Sequence, residues 1–145
     1  SGHLALKGVF APLSRDGRFF DRIVESGSHR ASMQLVCDRN ADVAAIDCVS
    51  FALARRHRPE LAAGLAVIAR GPAAPALPYV TAAGRPAGEI ERLRNALSAA
   101  VADPALAGAR QALFLAGLEF LPSDAYHRVL DLEAECAALG YAALA

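Results

Sequence analysis

The feature that most constrains this chain is an alternation in its first seventy residues between helix-period segments and short apolar runs, each boundary marked by a turn or cap residue. Leu4 to Leu13 carries Leu4, Leu6, Val9 and Phe10 among good helix formers and stops at Pro12. Arg15-Asp16-Gly17 reads as a turn, and Phe20 to Glu25, with Ile23 and Val24, as a short strand ending at Ser26-Gly27. Ser28 caps a helix from His29 to about Arg39 that places Met33, Val36 and Cys37 on one face, with Asn40 as its stop. Asp42 to Asp47 follows as a buried strand, Cys48 to His57 as a helix ended by Pro59, and Leu65 to Ala69 as a further strand.

Strands that alternate with helices of this length pair in parallel, because parallel neighbours need a crossover that returns the chain to the same end of the sheet. The expectation is an α/β fold, a parallel sheet flanked by helices. Pro72, Pro75 and Pro78 make the next stretch a connector from which Tyr79-Val80-Thr81 emerges as a short extended piece. Helices follow to the end. Glu89 to Ala102 carries Ile90, Leu93, Leu97 and Val101 at helical spacing, Pro104 sits at a favoured first-turn position, and Ser123-Asp124 caps the last helix.

Fifteen basic and fifteen acidic side chains cancel, so no overall field draws the chain to nucleic acid or to an anionic membrane surface. Any anion must be held locally. The apolar stretches are all interrupted before the roughly 18 residues a spanning helix needs. Cys37, Cys48 and Cys136 are odd in number and lack a Cys-x-x-Cys pair, which fits neither a disulfide framework nor a zinc site. They read as buried free thiols and favour a reducing compartment. His127, Glu133, Glu135 and Cys136 do not share a helical face, so no metal site is expected, and no cofactor motif is present.

The polar chemistry gathers at helix starts. A helix N-terminus presents unpaired amides and the positive end of the macrodipole, so it holds an oxyanion without net charge. Ser1-Gly2 stands before the first helix and Gly27-Ser28-His29 before the second, the latter at the carboxyl end of an expected strand, where α/β sheets place ligands.

These residues resemble the phosphate/phosphite/phosphonate-type solute-binding proteins of ABC importers, which have a two-lobed periplasmic-binding type II fold. The resemblance is carried by Ser1-Gly2, by Gly27-Ser28-His29-Arg30-Ala31-Ser32, by Ala41 to Asp47 and by Leu77-Pro78-Tyr79-Val80. It implies a partial two-lobe architecture: residues 1–71 as a second-lobe α/β segment bearing the anion-binding helix starts, and residues 72–145 as a crossing segment with C-terminal helices returning to the first lobe. In the family a Ser-x-Ser-Gly segment and a Ser-His pair grip the oxyanion, which by match assigns Ser1, Gly2, Ser28 and His29 as ligands. Asp47 either lines the cleft or caps the helix that begins at Cys48. Binders of amino-bearing phosphonates place carboxylates where this chain has Val49 and Leu77, so the resemblance does not extend to an aminoalkyl ligand.

The implied partners are a small anionic ligand and an importer permease, in the periplasm. A cytoplasmic sensor or regulator using the same binding fold is the alternative, kept open by the thiols. Two bland readings stand beside the site: Ser28 as an N-cap and nothing more, and Ser1-Gly2-His3 as an expression-tag remnant. The Arg55-Arg56-His57-Arg58 cluster reads as a solvated helix end. Catalysis is disfavoured, because Ser28 and His29 are neighbours at a helix start and point apart, and no orienting acid accompanies them. A chain holding one lobe and only the return of the other exposes apolar surface, and the expectation is an intertwined homodimer or an N-terminal half outside the chain.

Overall fold

The computed structural model describes residues 2–141, with the side chain of His3 excepted. Seven α-helices are present among them: α1 Gly2–Phe10, α2 His29–Cys37, α3 Cys48–His57, α4 Pro59–Ala63, α5 Ala87–Ala102, α6 Ala107–Ala112 and α7 Arg128–Ala138. Single 3-10 turns follow α1 (Ala11–Leu13) and precede α6 (Pro104–Leu106), and a slightly longer one, Ser123–His127, leads into α7.

The expected parallel sheet is absent among the described residues. The sole bridge is Arg15 with Arg18, antiparallel, across the turn at Asp16 and Gly17. Both central residues have positive φ, 51° and 72°, as a tight two-residue hairpin turn requires. The segments read as strands at 20–25, 42–47, 65–69 and 79–81 form neither helix nor ladder. Their composition suits a pleated surface, but that preference becomes a strand only where a second backbone lies alongside to exchange hydrogen bonds. Without one the apolar side chains stay open: Ile68 is 73% and Val80 85% exposed. The periplasmic-binding type II sheet is therefore not the architecture of these residues.

The chain divides into two compact units, one built from the residues through Pro75 together with those from Ser123, the other from Ala76–Pro122. The first unit holds two apolar clusters. In one, Ala11, Cys136 and Tyr141 are buried with Leu6 and Phe20 against them, which packs α1 on α7. Phe10, Phe19 and Phe20 extend it as an aromatic trio with ring centroids 4.6–5.0 Å apart. In the other cluster Met33, Ala54 and Leu61 are buried, joined by Cys37, Ile46, Phe51 and Leu65, which ties α2, α3 and α4 together.

Local chemistry sets most helix boundaries. Ser28 caps α2 as expected, Asp47 caps α3, one of its two readings, and Pro59, read as the stop of α3, also opens α4 at the first helical position, where its missing N–H costs nothing. Three helices end in the same way. The amides of Asn40, Leu115 and Tyr141 reach back to the carbonyls of Leu35, Arg110 and Cys136, with Arg39, Phe114 and Gly140 at left-handed φ of 57°, 56° and 76°. Asn40 was the expected stop of α2, but Arg39 occupies the left-handed position.

In the second unit α5 buries no side chain. Glu89 in its first turn pairs with Arg85 at 2.9 Å, and the Arg94 guanidinium lies 5.6 Å from the centroid of the Phe120 ring. Asp103 caps the 3-10 turn that follows, accepting the Ala105 amide at 2.8 Å.

Candidate functional site: three helix starts around His29

The starts of α1, α2 and α3 meet at one place. Ser28 has an extended backbone, and its hydroxyl oxygen accepts the Ala31 amide at 3.1 Å, so α2 begins at His29. Gly27 precedes it with φ 78°. Ser26, which the sequence reading passed over, braces this loop: its hydroxyl donates to the Ser28 carbonyl at 3.1 Å and lies 2.6 Å from the Ser32 hydroxyl. The Ser-Gly-Ser run followed by a serine one helical turn later was the signal available for it.

Asp47 does for α3 what Ser28 does for α2. Its Oδ1 accepts the Ser50 amide at 2.8 Å, while Oδ2 lies 3.1 Å from Nε2 of His29. The two open readings of Asp47, cap or cleft, are thus not exclusive: it caps and it faces the second helix start. Burial acts most strongly on its carboxyl and pushes it up, but the Ser50 side chain and amide, the charge of His29 and the Val49 amide together outweigh this. The net result is a carboxyl held below its ordinary range. The pair remains open to solvent, with side chains 35% and 45% exposed, so it adds little to stability and is accessible to a solute.

Gly2, the first residue of α1, completes the convergence. A Cβ built on it would sit 3.3 Å from the Ala45 carbonyl oxygen and 3.8 Å from Cε1 of His29. The first distance is tight for a Cβ and the second is an ordinary contact, so a glycine lets the start of α1 come up to the Ala45 carbonyl, beside the imidazole. Of the sequence-assigned residues, Gly2, Ser28, His29 and Asp47 are therefore brought together, and Ser1 lies outside the described residues.

The remaining candidates behave as structural groups. Arg55, Arg56, His57 and Arg58 are exposed at the end of α3. Glu135 is held by both guanidinium nitrogens of Arg128, and no metal-binding group of His, Cys, Asp and Glu occurs among the described residues. The thiols differ from expectation: Cys136 is buried and Cys37 half-buried, donating to the Leu61 carbonyl at 3.3 Å, but Cys48 at the start of α3 is exposed. Its place at a capped helix start, one residue from Asp47, puts it at the surface. Two open grooves lie elsewhere in this unit, one of about 470 Å³ beside Phe51, Arg55 and Leu65, the other of about 180 Å³ between Arg30 and Arg58. Neither includes His29 or Asp47, so volume and chemistry point to different places. The first groove has one cationic side chain, Arg55, among Phe51, Pro59, Leu65 and Val67, and the second mixes Arg30, Gln34 and Arg58 with the carboxylate of Glu60; neither holds the cap of α2 or of α3.

Residues 1–126 match the family described as ABC transporter, phosphonate, periplasmic substrate-binding protein. The chain belongs to this family. No curated protein and no solved structure matches it. The match covers all three helix starts and both residues of the His29–Asp47 pair, and a substrate-binding component of an importer is not an enzyme class. Membership brings with it a small ligand, a transporter permease as partner and the periplasm as the place of work. No helix among the described residues is long and apolar enough to cross a membrane.

Proposed function

We propose that this chain binds a phosphate- or phosphonate-like oxyanion at the starts of α1 and α2 and delivers it to an importer permease. The observation that carries the reading is the meeting of three helix starts at His29 in a chain of this family. A helix start carries amide N–H groups and a partial positive charge, which suits an anion and repels a cation. Gly2, Ser28 and His29, with Ser1, are the ligands in this reading. Ser28 supplies a hydroxyl whose oxygen is committed to capping but whose proton is free to donate. The imidazole adds a further donor. With no net charge on the chain, selectivity for an anion rests on these local dipoles.

Titration of phosphate and methylphosphonate into the protein by calorimetry tests this. His29→Ala should weaken binding by about tenfold to a hundredfold, the loss of one charge-assisted hydrogen bond at roughly 1.5–3 kcal/mol. Equal affinity of the wild type and His29→Ala would remove His29 from the site.

A further inference from the structure

Asp47 uses both of its carboxylate oxygens, Oδ1 on the Ser50 amide and Oδ2 on His29 Nε2. An ionised carboxylate can only accept, so the nitrogen facing it must carry the proton. In a neutral imidazole protonated at Nε2, the other nitrogen bears a lone pair, which is the wrong partner for an oxyanion. Only the imidazolium has an N–H at both positions.

Resting on the oxyanion reading above, we infer that Asp47 is the positioning residue of that site: it fixes His29 with Nε2–H turned to the carboxylate, so that Nδ1–H reaches the anion only when the ring is doubly protonated. Binding of the anion is then coupled to uptake of one proton by His29. The arrangement makes the site a sensor of pH as well as of solute, with affinity highest where imidazole is charged and declining as it is neutralised.

The ionisable groups on the elements that meet at His29 are few. Asp47 and Cys48 begin α3, Arg30 follows His29 on α2, Asp42 starts the segment leading into α3, and α1 brings Gly2 to the contact with Lys7 farther along the helix. The ion pair at this point is with Asp47. Arg30 and the positive ends of the helices oppose the imidazolium, and the Asp47 carboxylate is what offsets them.

The decisive variant is Asp47→Asn. An asparagine keeps an oxygen for the Ser50 amide, so the cap survives, but it turns an NH2 toward His29. Nε2 must then accept, the proton moves to Nδ1, and the neutral ring becomes a donor to the anion. Phosphate affinity should be measured for both proteins from pH 6 to pH 9, taking their ratio so that the titration of phosphate itself cancels. Above the His29 titration the wild type should lose affinity relative to Asp47→Asn by about tenfold per pH unit, the slope for one linked proton. Below it the wild type should bind more tightly than the variant. Superimposed profiles would reduce Asp47 to a cap and overturn the inference, as would loss of binding by the variant at every pH with its fold intact.

Nitrogen NMR of the His29 ring without ligand separates this inference from the function it rests on. At pH 8.5 the wild type should show the Nε2–H tautomer and Asp47→Asn the Nδ1–H tautomer. A wild-type ring protonated at Nδ1 overturns the positioning role whatever phosphate does. A wild-type ring protonated at Nε2 in a protein that binds neither phosphate nor methylphosphonate supports the positioning role and removes the oxyanion reading instead.

Discussion

The two units of the chain are both built of helices, yet they hold together differently. Every buried side chain in the described structure, from Lys7 and Ala11 through Met33 and Leu61 to Cys136 and Tyr141, lies in the unit built from α1 to α4 and α7. Residues 76–122 contain none, and Leu77, Tyr79 and Val80 are 69–86% exposed. The difference shows what local signals can achieve alone. A first-turn acid and an ion pair within one turn accompany α5, but they bury almost no apolar area, and burial is the main term that opposes chain entropy. The convergence around His29 occurs in the unit that has both.

The largest test of this contrast is a pair of truncations. Met33→Ala empties a position only 3% exposed, at the centre of the α2–α3–α4 cluster, and should cost about 2–5 kcal/mol. Leu93→Ala, on α5 at 45% exposure, should change stability by no more than about 0.5 kcal/mol. Urea unfolding followed by circular dichroism measures both. Similar costs at the two sites would mean that α5 buries its apolar face against another surface in solution, and the contrast between the units would fail.

What was legible in the sequence divides along the same line between local and distant. The starts of α2 and α3 could be read because Ser28 and Asp47 make their capping bonds to amides three residues ahead. The turn at Asp16-Gly17 and the last residue of α3 were legible for the same reason. The sheet was misread because a strand is a relation between distant backbones, and Ile23, Val24, Val67 and Ile68 have strand-like composition without that relation. The site was half legible. Ser28 and His29 stood out as polar groups at a helix start, but the His29–Asp47 pair spans 18 positions and the approach of Gly2 to Ala45 spans more, and no spacing rule encodes either. Ser26 was overlooked because it reads as a turn residue before Gly27, whereas its hydroxyl bridges the Ser28 carbonyl and the Ser32 hydroxyl of α2.

A middle-sized effect comes from the caps. Asp47→Ala removes the Ser50 bond and the His29 contact and should cost about 0.5–2 kcal/mol, whereas Asp47→Asn keeps the bond and should cost less. The pH dependence follows from the lowered carboxyl. A group whose folded value lies below its unfolded one contributes fully above the unfolded range, near pH 4, and loses its contribution as pH falls through the folded value. Melting temperatures of the wild type and Asp47→Asn should therefore differ at pH 6 and converge toward pH 3. The pair is almost half exposed, so the gap is modest. A gap that widens toward acid would contradict the lowered carboxyl. The same truncation at Asp103, whose bond supports a single 3-10 turn in the other unit, should cost less than at Asp47, which begins a helix packed on the apolar cluster.

The smallest effect asks whether the two units tolerate backbone strain alike. Arg39 and Phe114 hold equivalent left-handed positions after α2 and α6, where an ordinary side chain crowds its own carbonyl and glycine does not. Gly140 holds the same position after α7, so the chain already uses the unstrained solution once. Glycine relieves about 1 kcal/mol of strain but gives back about 0.4–1 kcal/mol through the freer unfolded chain, which leaves a net gain of a few tenths. Arg39 is exposed, so Arg39→Gly should show that gain as a melting temperature raised by about 1–2 °C. Phe114 is half-exposed, so Phe114→Gly trades strain for the loss of the partly covered ring. It should come out neutral or slightly destabilising. A larger gain at Phe114 than at Arg39 would mean that its ring contributes nothing, and that the end of α6 is held by backbone bonds alone.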